Sequence, residues 1–452
     1  MKIIKNGDSR VTKIINKKSL KNEAEYRLSQ YVHTYSCDGR YLIAHMLSYE
    51  VIELTQQEWD AVKKIEQAPV SSEYLTENGL EQLALSAYIV EKDHNDLKQY
   101  EQLVFLLKTM AGKKKGTSSY TILPTTGCNA RCTYCYEEGY EIKTMSKETS
   151  DRLVDYICET RHDDTVKLMW FGGEPLANVR AIRDICMGLK ERGVPYKSKM
   201  ITNASLMTKE LAHEAKELWN MTKVQVSLDG AREDYEKRKR YASPDKYNYD
   251  RVLEAVGYLA DEDIKVVLRC NYDKDNTAGL KEMVDDIAER FDKNVSLYFH
   301  ILFQQNDKDD YVDQIKAIDG VCEYAESKGL MREGALKGKL RTNFCMADSE
   351  CSVVVAPDGT LYDCEHLPEG RTWGNIFDGV TDEAKFREMR SAKPIEKECA
   401  ECKYISFCTG FRKKNCPDIP KYCREDKEIG VERYLRALIN SCAECEDEDE
   451  EL

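Results

Sequence analysis

The sequence predicts an α/β chain: a parallel sheet wrapped by helices, with a small α+β module before it and a cysteine-rich segment after it. Three observations lead there. Residues 118 to about 305 alternate strand and helix patterns six times. The first 110 residues hold short strands and helices without that regular alternation. Ten of the eighteen cysteines fall between Cys345 and Cys445. A chain of 452 residues, 42% hydrophobic, has room for roughly two to four domains. The boundaries expected are 1–110, 111–335, 336–440 and an acidic tail at 441–452.

In the first segment, SQYVHTYSC and YLIAHM read as strands joined at Asp38–Gly39, a pair suited to a type I′ turn. EVIEL extends that sheet. TQQEWDAVKKIEQ opens on a Thr55 cap and puts Trp59, Val62 and Ile65 on one helix face. One helix is expected over about 72–86, then a short strand at YIVEK. The opening residues carry lysines but no apolar core before a cleavage site, so no secretory signal is expected. No run approaches the roughly 18 apolar residues of a membrane span. The expectation is a cytoplasmic protein with no membrane partner.

The net charge of −14 argues against a broad basic surface for nucleic acid. Lys113 to Lys115 and Lys413–Lys414 read as solvated loops. The terminal EDEDEEL reads as a disordered tail.

The middle segment offers the strands SYTILP, VKLMWF, YKSKMIT, KVQVSLD, IKVVLRCN and VSLYFH. Helical stripes lie between them: Leu211, Ala215 and Leu218; Val252, Ala255, Val256 and Leu259; Leu280, Met283, Val284 and Ile287. Such units make a parallel sheet, either open or closed as a partial barrel. Active sites then lie at the carboxyl ends of the strands.

Thiols of a cytosolic chain stay reduced, so this many cysteines point to metal. TTGCNARCTYCYEEG places Cys128, Cys132 and Cys135 at C-x3-C-x2-C spacing, directly after the first strand of the α/β segment. Structural zinc normally takes four ligands in two pairs, and a fourth is not nearby. A [4Fe–4S] cubane held by three thiolates keeps one iron open to a cofactor with hard donors, such as S-adenosylmethionine. Further on, Cys345-x5-Cys351 is followed by Cys364, and then by Cys399-x2-Cys402-x5-Cys408-x7-Cys416-x6-Cys423. Eight such thiols could ligate two more cubanes; zinc ribbons are the alternative. Cys37, Cys158, Cys186, Cys270 and Cys322 are isolated and read as core residues.

With the aromatic Tyr134 just before its third cysteine, the first motif resembles that of radical S-adenosylmethionine enzymes. The resemblance implies a partial (β/α)6 barrel with the cluster on the loop after strand one. Gly172–Gly173–Glu174–Pro175 resembles the family's GGEP motif, which implies contact with the cofactor's amino group. Thr202 and Asn203 end the third strand. Ser227 and Asp229 in VSLDG resemble the ribose-binding position. Arg269 and Asn271 lie on strand five, where the family contacts the cofactor's carboxylate or ribose.

Gly359-x4-Cys364 and C-x2-C-x5-C resemble the SPASM extension of peptide-modifying members. That likeness implies one auxiliary cluster on Cys345, Cys351, Cys364 and Cys416, and a second on Cys399, Cys402, Cys408 and Cys423. The gap Cys408-x7-Cys416 is longer than the family's usual one, which leaves Cys442 and Cys445 as alternative ligands.

The resemblance also gives the first segment a meaning: a winged-helix-like element that captures a precursor's leader peptide as an added strand. The implied activity is modification of a ribosomally made peptide through a 5′-deoxyadenosyl radical, with a Cys thioether as the expected bond. The cofactors would be three [4Fe–4S] clusters and S-adenosylmethionine. The electron donor would be a low-potential protein such as flavodoxin or ferredoxin. Glu365 and Asp363, beside Cys364, are base candidates by position. His300 reads as a core or surface residue. The rivals are carbon–carbon or carbon–oxygen cross-linking, anaerobic sulfatase maturation, and a non-catalytic metal scaffold.

Overall fold

The computed structural model describes residues 1–17, 19–111, 116–302, 308–331, 339–343, 345–367, 370–390, 395–409 and 422–450. Two units emerge. One comprises Met1–Lys113, Glu333–Phe344 and Lys393–Leu452; the other comprises Lys114–Arg332 and Cys345–Ala392. The cysteine-rich segment expected as one piece therefore contributes to both.

The first unit begins with β1 (Lys2–Lys5), α1 (Ser9–Ile15), β2 (Glu25–Leu28), β3 (Val32–Cys37), β4 (Arg40–His45) and β5 (Glu50–Leu54). Then come α2 (Gln56–Gln67), β6 (Val70–Ser71), α3 (Ser72–Glu77), α4 (Glu81–Leu85), β7 (Ile89–Glu91) and α5 (Asp96–Met110). An antiparallel sheet runs β1-β5-β4-β3, and a smaller one runs β6-β2-β7. Asp38 and Gly39 both take positive φ, 51° and 77°, as the turn between β3 and β4 requires. Thr55 and Glu58 form a reciprocal capping box on α2. The single helix expected over 72–86 is instead α3 and α4. Asn78 ends the first, and Gly79, with φ of 66°, turns the chain.

In the second unit, β8 (Ser119–Ile122), α6 (Lys147–Thr160), β9 (Val166–Trp170), α7 (Val179–Glu191), β10 (Tyr196–Thr202) and α8 (Lys209–Glu217) alternate. They continue through β11 (Met221–Ser227), α9 (Arg232–Lys239), α10 (Tyr249–Asp261), β12 (Lys265–Tyr272), α11 (Leu280–Arg290), β13 (Val295–Ile301) and α12 (Lys308–Ser327). Strands β8 to β13 are parallel and lie side by side in chain order. An order that never reverses is that of a barrel rather than a doubly wound sheet. The predicted stripes of α10 and α11 are buried.

The sheet does not stop at β8. β14 (Ser352–Val355) pairs with β8 in parallel, and β15 (Thr360–Tyr362), β16 (Gly374–Asn375) and β17 (Gly379–Val380) continue it antiparallel. The first downstream cysteines are thus attached to an extension of the barrel sheet. The short helix α13 (Glu383–Arg390) follows.

The chain then returns to the first unit with α14 (Lys397–Ala400), α15 (Ile405–Cys408) and α16 (Cys423–Glu450). Val431, Leu435 and Ile439 of α16 share one core with Val11, Tyr31, Leu42 and Val51. Arg40 donates to the carbonyl of Ile439, and Gln30 to that of Ala400. The tail expected to be disordered continues α16 as helix to Glu450. Glutamate is a good helix former, and the packed part of α16 supplies the nucleus.

Candidate radical SAM site

The cysteine loop follows β8 and is held from two sides. On one side, the amides of Gly173 and Glu174 donate to the carbonyls of Thr125 (3.1 Å) and Gly127 (2.9 Å). A Cβ on Gly172 would lie 2.4 Å from the Thr125 carbonyl, and one on Gly173 2.5 Å from those of Thr126 and Gly127. Only glycine permits this approach, and Gly172 also takes a φ of 117°. On the other side, the amides of Arg131 and Thr133 donate to the carbonyls of Lys239 and Arg238, each at 3.1 Å. Ala130 and Tyr241 form an isolated bridge.

Within the loop, the amide of Ala130 donates to Cys128 Sγ (3.4 Å) and Asn203 Nδ2 approaches the same sulfur (3.8 Å). Burial pushes the Cys128 thiol up to about 12, and the charges of Glu174, Cys132 and Cys135 act in the same direction. Burial and the neighbouring Cys132 likewise raise Cys135. Three thiols from one loop, with amide donors already aimed at a sulfur, suit an iron–sulfur cluster. An electron-poor core would relieve the charge that the thiolates otherwise press on one another. Among the described residues, no group of three or more His, Cys, Asp or Glu is placed as for a metal ion.

Glu174, after β9, is completely buried. Its carboxylate accepts from the Thr202 hydroxyl (2.6 Å), the Asn203 amide (2.8 Å) and the Leu176 amide (3.0 Å). Burial raises its pKa, while those three bonds oppose the rise. Pro175 begins the short 3-10 turn that follows. Asn203 also donates to Asn129 Oδ1 (3.0 Å), beside Cys128.

The ends of β11 and β12 make a second knot. Asp229 Oδ1 accepts from the backbone and side-chain nitrogens of Asn271, at 3.0 and 2.8 Å. Asp229 Oδ2 accepts from the Tyr134 hydroxyl and lies 2.8 Å from Lys239 Nζ. Lys239 also donates to Ser227 Oγ, 2.8 Å, and to the Tyr134 hydroxyl, 3.1 Å. Arg269 donates to Asn271 Oδ1 and to His300 Nδ1, so His300 turns an acceptor toward it. Glu174, Thr202 and Asn203 are thus gathered in one group, and Tyr134, Ser227, Asp229 and Asn271 in another. Both groups adjoin the cysteine loop.

Sequence reasoning missed three residues here. Lys239 is one of four successive cations at 237–240, a run that looks like a solvated face. Asn276 donates to the carbonyls of Asp229 and Asn271. Glu137 is half-buried beside Tyr136 and His366; burial pushes its carboxyl up to about 7. The Tyr136 and His366 rings lie 4.0 Å apart, and the Tyr140 hydroxyl donates to the His366 carbonyl.

Of the downstream thiols, Cys345, Cys351 and Cys364 belong to the barrel unit; the Cys351 carbonyl accepts from the amides of Ser118 and Ser119. Cys399, Cys402, Cys408 and Cys423 belong to the other unit. Cys416 lies outside the described residues, as do the side chains of Cys442 and Cys445 on α16. No described cysteine forms a disulfide. Asp363 forms an ion pair with Arg371, and Glu365 is half-buried. No described helix is long and apolar enough to cross a membrane.

Residues 122–293 match the model of the Radical SAM superfamily. The chain carries a radical SAM domain. That domain contains the cysteine triad, Gly172–Pro175 and every cofactor position proposed from the sequence. Among curated proteins, the chain is 26% identical over 182 residues to the Fe-coproporphyrin III synthase of Methanosarcina barkeri, covering 40% of this chain and 43% of that one. The match therefore spans less than half of that relative. The cysteine-type anaerobic sulfatase-maturating enzyme of Clostridium perfringens is 23% identical over 358 residues, covering 69% of this chain and 92% of that one. Two solved structures share the fold around the radical SAM domain. Native anSMEcpe with bound AdoMet superposes with a TM-score of 0.58 at 20% identity, over 72% of this chain and 99% of that one. Streptococcus suis SuiB bound to precursor peptide SuiA gives 0.50 at 15% identity, over 88% and 98%.

Proposed function

We propose that this chain is a radical S-adenosylmethionine enzyme that modifies a ribosomally made precursor peptide, joining a Cys sulfur to a carbon of a neighbouring residue. The observation that carries this reading is the N-terminal module. Among the described strands, β3 is paired only with β4. The α2 helix flanks it, with Thr34 donating to Glu66. An extended leader peptide would add to the open side of β3 as a further strand. A peptide-bound structure whose fold spans 88% of this chain supports a peptide partner.

In this reading Cys128, Cys132 and Cys135 would hold a [4Fe–4S] cluster with one position open for S-adenosylmethionine. Gly172 to Pro175, Thr202, Asn203, Ser227, Asp229, Arg269 and Asn271 would hold the cofactor, with Tyr134 fixing the loop. When bound and reduced by a donor of the flavodoxin or ferredoxin class, the pair supplies a 5′-deoxyadenosyl radical.

Thioether formation takes two hydrogens from the peptide, one as an atom and the other as a proton with an electron. The eight downstream cysteines named from the sequence would hold two auxiliary clusters, which would supply one-electron redox chemistry. Glu365 and Asp363, on either side of Cys364, are the candidates for the proton; Asp363 also pairs with Arg371. The barrel walls exclude water and hold the target carbon.

A second reading, formylglycine formation in a sulfatase, is favoured by the near-complete coverage of the Clostridium enzyme. The reconstituted chain should be incubated anaerobically with S-adenosylmethionine, a reductant, and either a Cys-containing precursor from a neighbouring small reading frame or a sulfatase peptide. Loss of two hydrogens, with fragmentation placing a Cys–carbon link, supports the proposal. Formylglycine in the sulfatase peptide would replace it, and a link without sulfur would change the bond type.

A further inference from the structure

Lys239 is an unusual residue for a strongly acidic chain to bury. Its side chain is 2% exposed and that of its partner Asp229 is 0% exposed. Burying both charges is costly unless each is paired and hydrogen-bonded. Here both conditions hold, through Tyr134, Ser227 and Asn271. The ammonium also lies over the rings of Tyr134 and Tyr235, 5.7 Å from each centroid.

The segment that carries Lys239 is clamped to the cysteine loop along its length. Arg131 and Thr133 donate to it, and Ala242 donates back to the Asn129 carbonyl at 2.9 Å. Arg240 turns the chain there with a φ of 49°. Arg238, also buried, forms an ion pair with Asp273 beyond β12. One short segment thus ties the loop between Cys128 and Cys135 to the ends of β11 and β12.

We infer that Lys239 is a positioning residue for the proposed cluster: it locks Tyr134 onto Asp229 and sets a fixed positive charge against Tyr134, between Cys132 and Cys135 in the chain. The charge is the informative part. A buried cation beside a cluster favours its reduced, more negative form, and a buried anion opposes it. Asp229 and Lys239 should therefore move the cluster's potential in opposite directions.

The inference rests on the proposed cluster at Cys128, Cys132 and Cys135, and the test separates the two. The full chain is reconstituted anaerobically, and the cluster whose electron paramagnetic resonance spectrum changes on adding S-adenosylmethionine is titrated for its midpoint potential. The variants are K239M, K239R, D229N and the charge-neutral pair K239M/D229N. The expected result is a lower potential in K239M, a higher one in D229N, and values near the parent in K239R and the double variant. Should K239M fail to fold, D229N and the double variant carry the same comparison. Unchanged potentials, or shifts in one common direction, overturn the inference. A parent chain without a cofactor-responsive cluster overturns the cluster reading itself and this inference with it.

Discussion

Glu174 and Thr202 join adjacent strand ends: the Thr202 hydroxyl donates to a completely buried carboxylate across 2.6 Å. Among the described residues that carboxylate accepts three hydrogen bonds. E174Q would set an amide NH2 against one of those donors. A buried donor left unsatisfied costs about 1–3 kcal/mol. The expected result is a lower urea midpoint with an unchanged m-value. T202V loses that bond and also the one its hydroxyl accepts from the Ala204 amide (2.8 Å), so it should cost about 1–3 kcal/mol.

Gly173 bears on the cysteine loop directly. An added methyl would sit 2.5 Å from two backbone carbonyls, which cannot step aside as a flexible side chain would. G173A should destabilise the chain by about 1–3 kcal/mol, as overpacking does, and displace the loop. Iron analysis of the reconstituted variant should show about four fewer irons per chain than the parent, the content of one cubane.

His45 is fully buried. It accepts from the Leu47 amide at Nδ1, and its Nε2 faces the Ala87 carbonyl. Burial lowers its pKa to about 4. The unfolded chain, titrating near 6.5, therefore binds a proton that the folded chain refuses. His45 should make stability fall as pH drops from about 6.5 to about 4, by about 3 kcal/mol, and level off below; buried His33, also lowered to about 4, adds to the fall over the same window. Thermal melts across that window check this, and H45Q should flatten the slope.

The core shared by α16 and the N-terminal sheet predicts that the two do not unfold independently. Leu435 is fully buried in that core, together with Leu42 and Val51. L435A should cost about 2–5 kcal/mol. Hydrogen exchange should show protection lost in β4 and β5 as well as in α16. Loss confined to α16 would contradict the shared core.

Much of this was legible in the sequence because it was local. Strands β8 to β13 announce themselves as apolar runs, and Asp38–Gly39 and Thr55–Glu58 carry their own geometry. The cysteine spacing, Gly172–Pro175 and the strand-end polar residues could be placed in order along one barrel. What was not legible depended on pairing between distant segments. Val353 to Val355 look like a strand, but nothing local says that they pair with β8. Likewise, the segment of α16 shows no regular apolar pattern in the sequence, and its core role appears only when Val431, Leu435 and Ile439 are set against Val11 and Leu42. Lys239 stayed hidden for the same reason: only the fold separates the buried Arg238 and Lys239 from the exposed Lys237 and Arg240.

The most direct test of the central claim is the release of 5′-deoxyadenosine. The full chain, loaded with iron and sulfide and supplied with S-adenosylmethionine and dithionite, is assayed beside C128A, C132A and C135A. The account predicts release by the parent chain and none by the three variants. A fully loaded parent chain that releases none, or a C128A chain that releases as much as the parent, would contradict it.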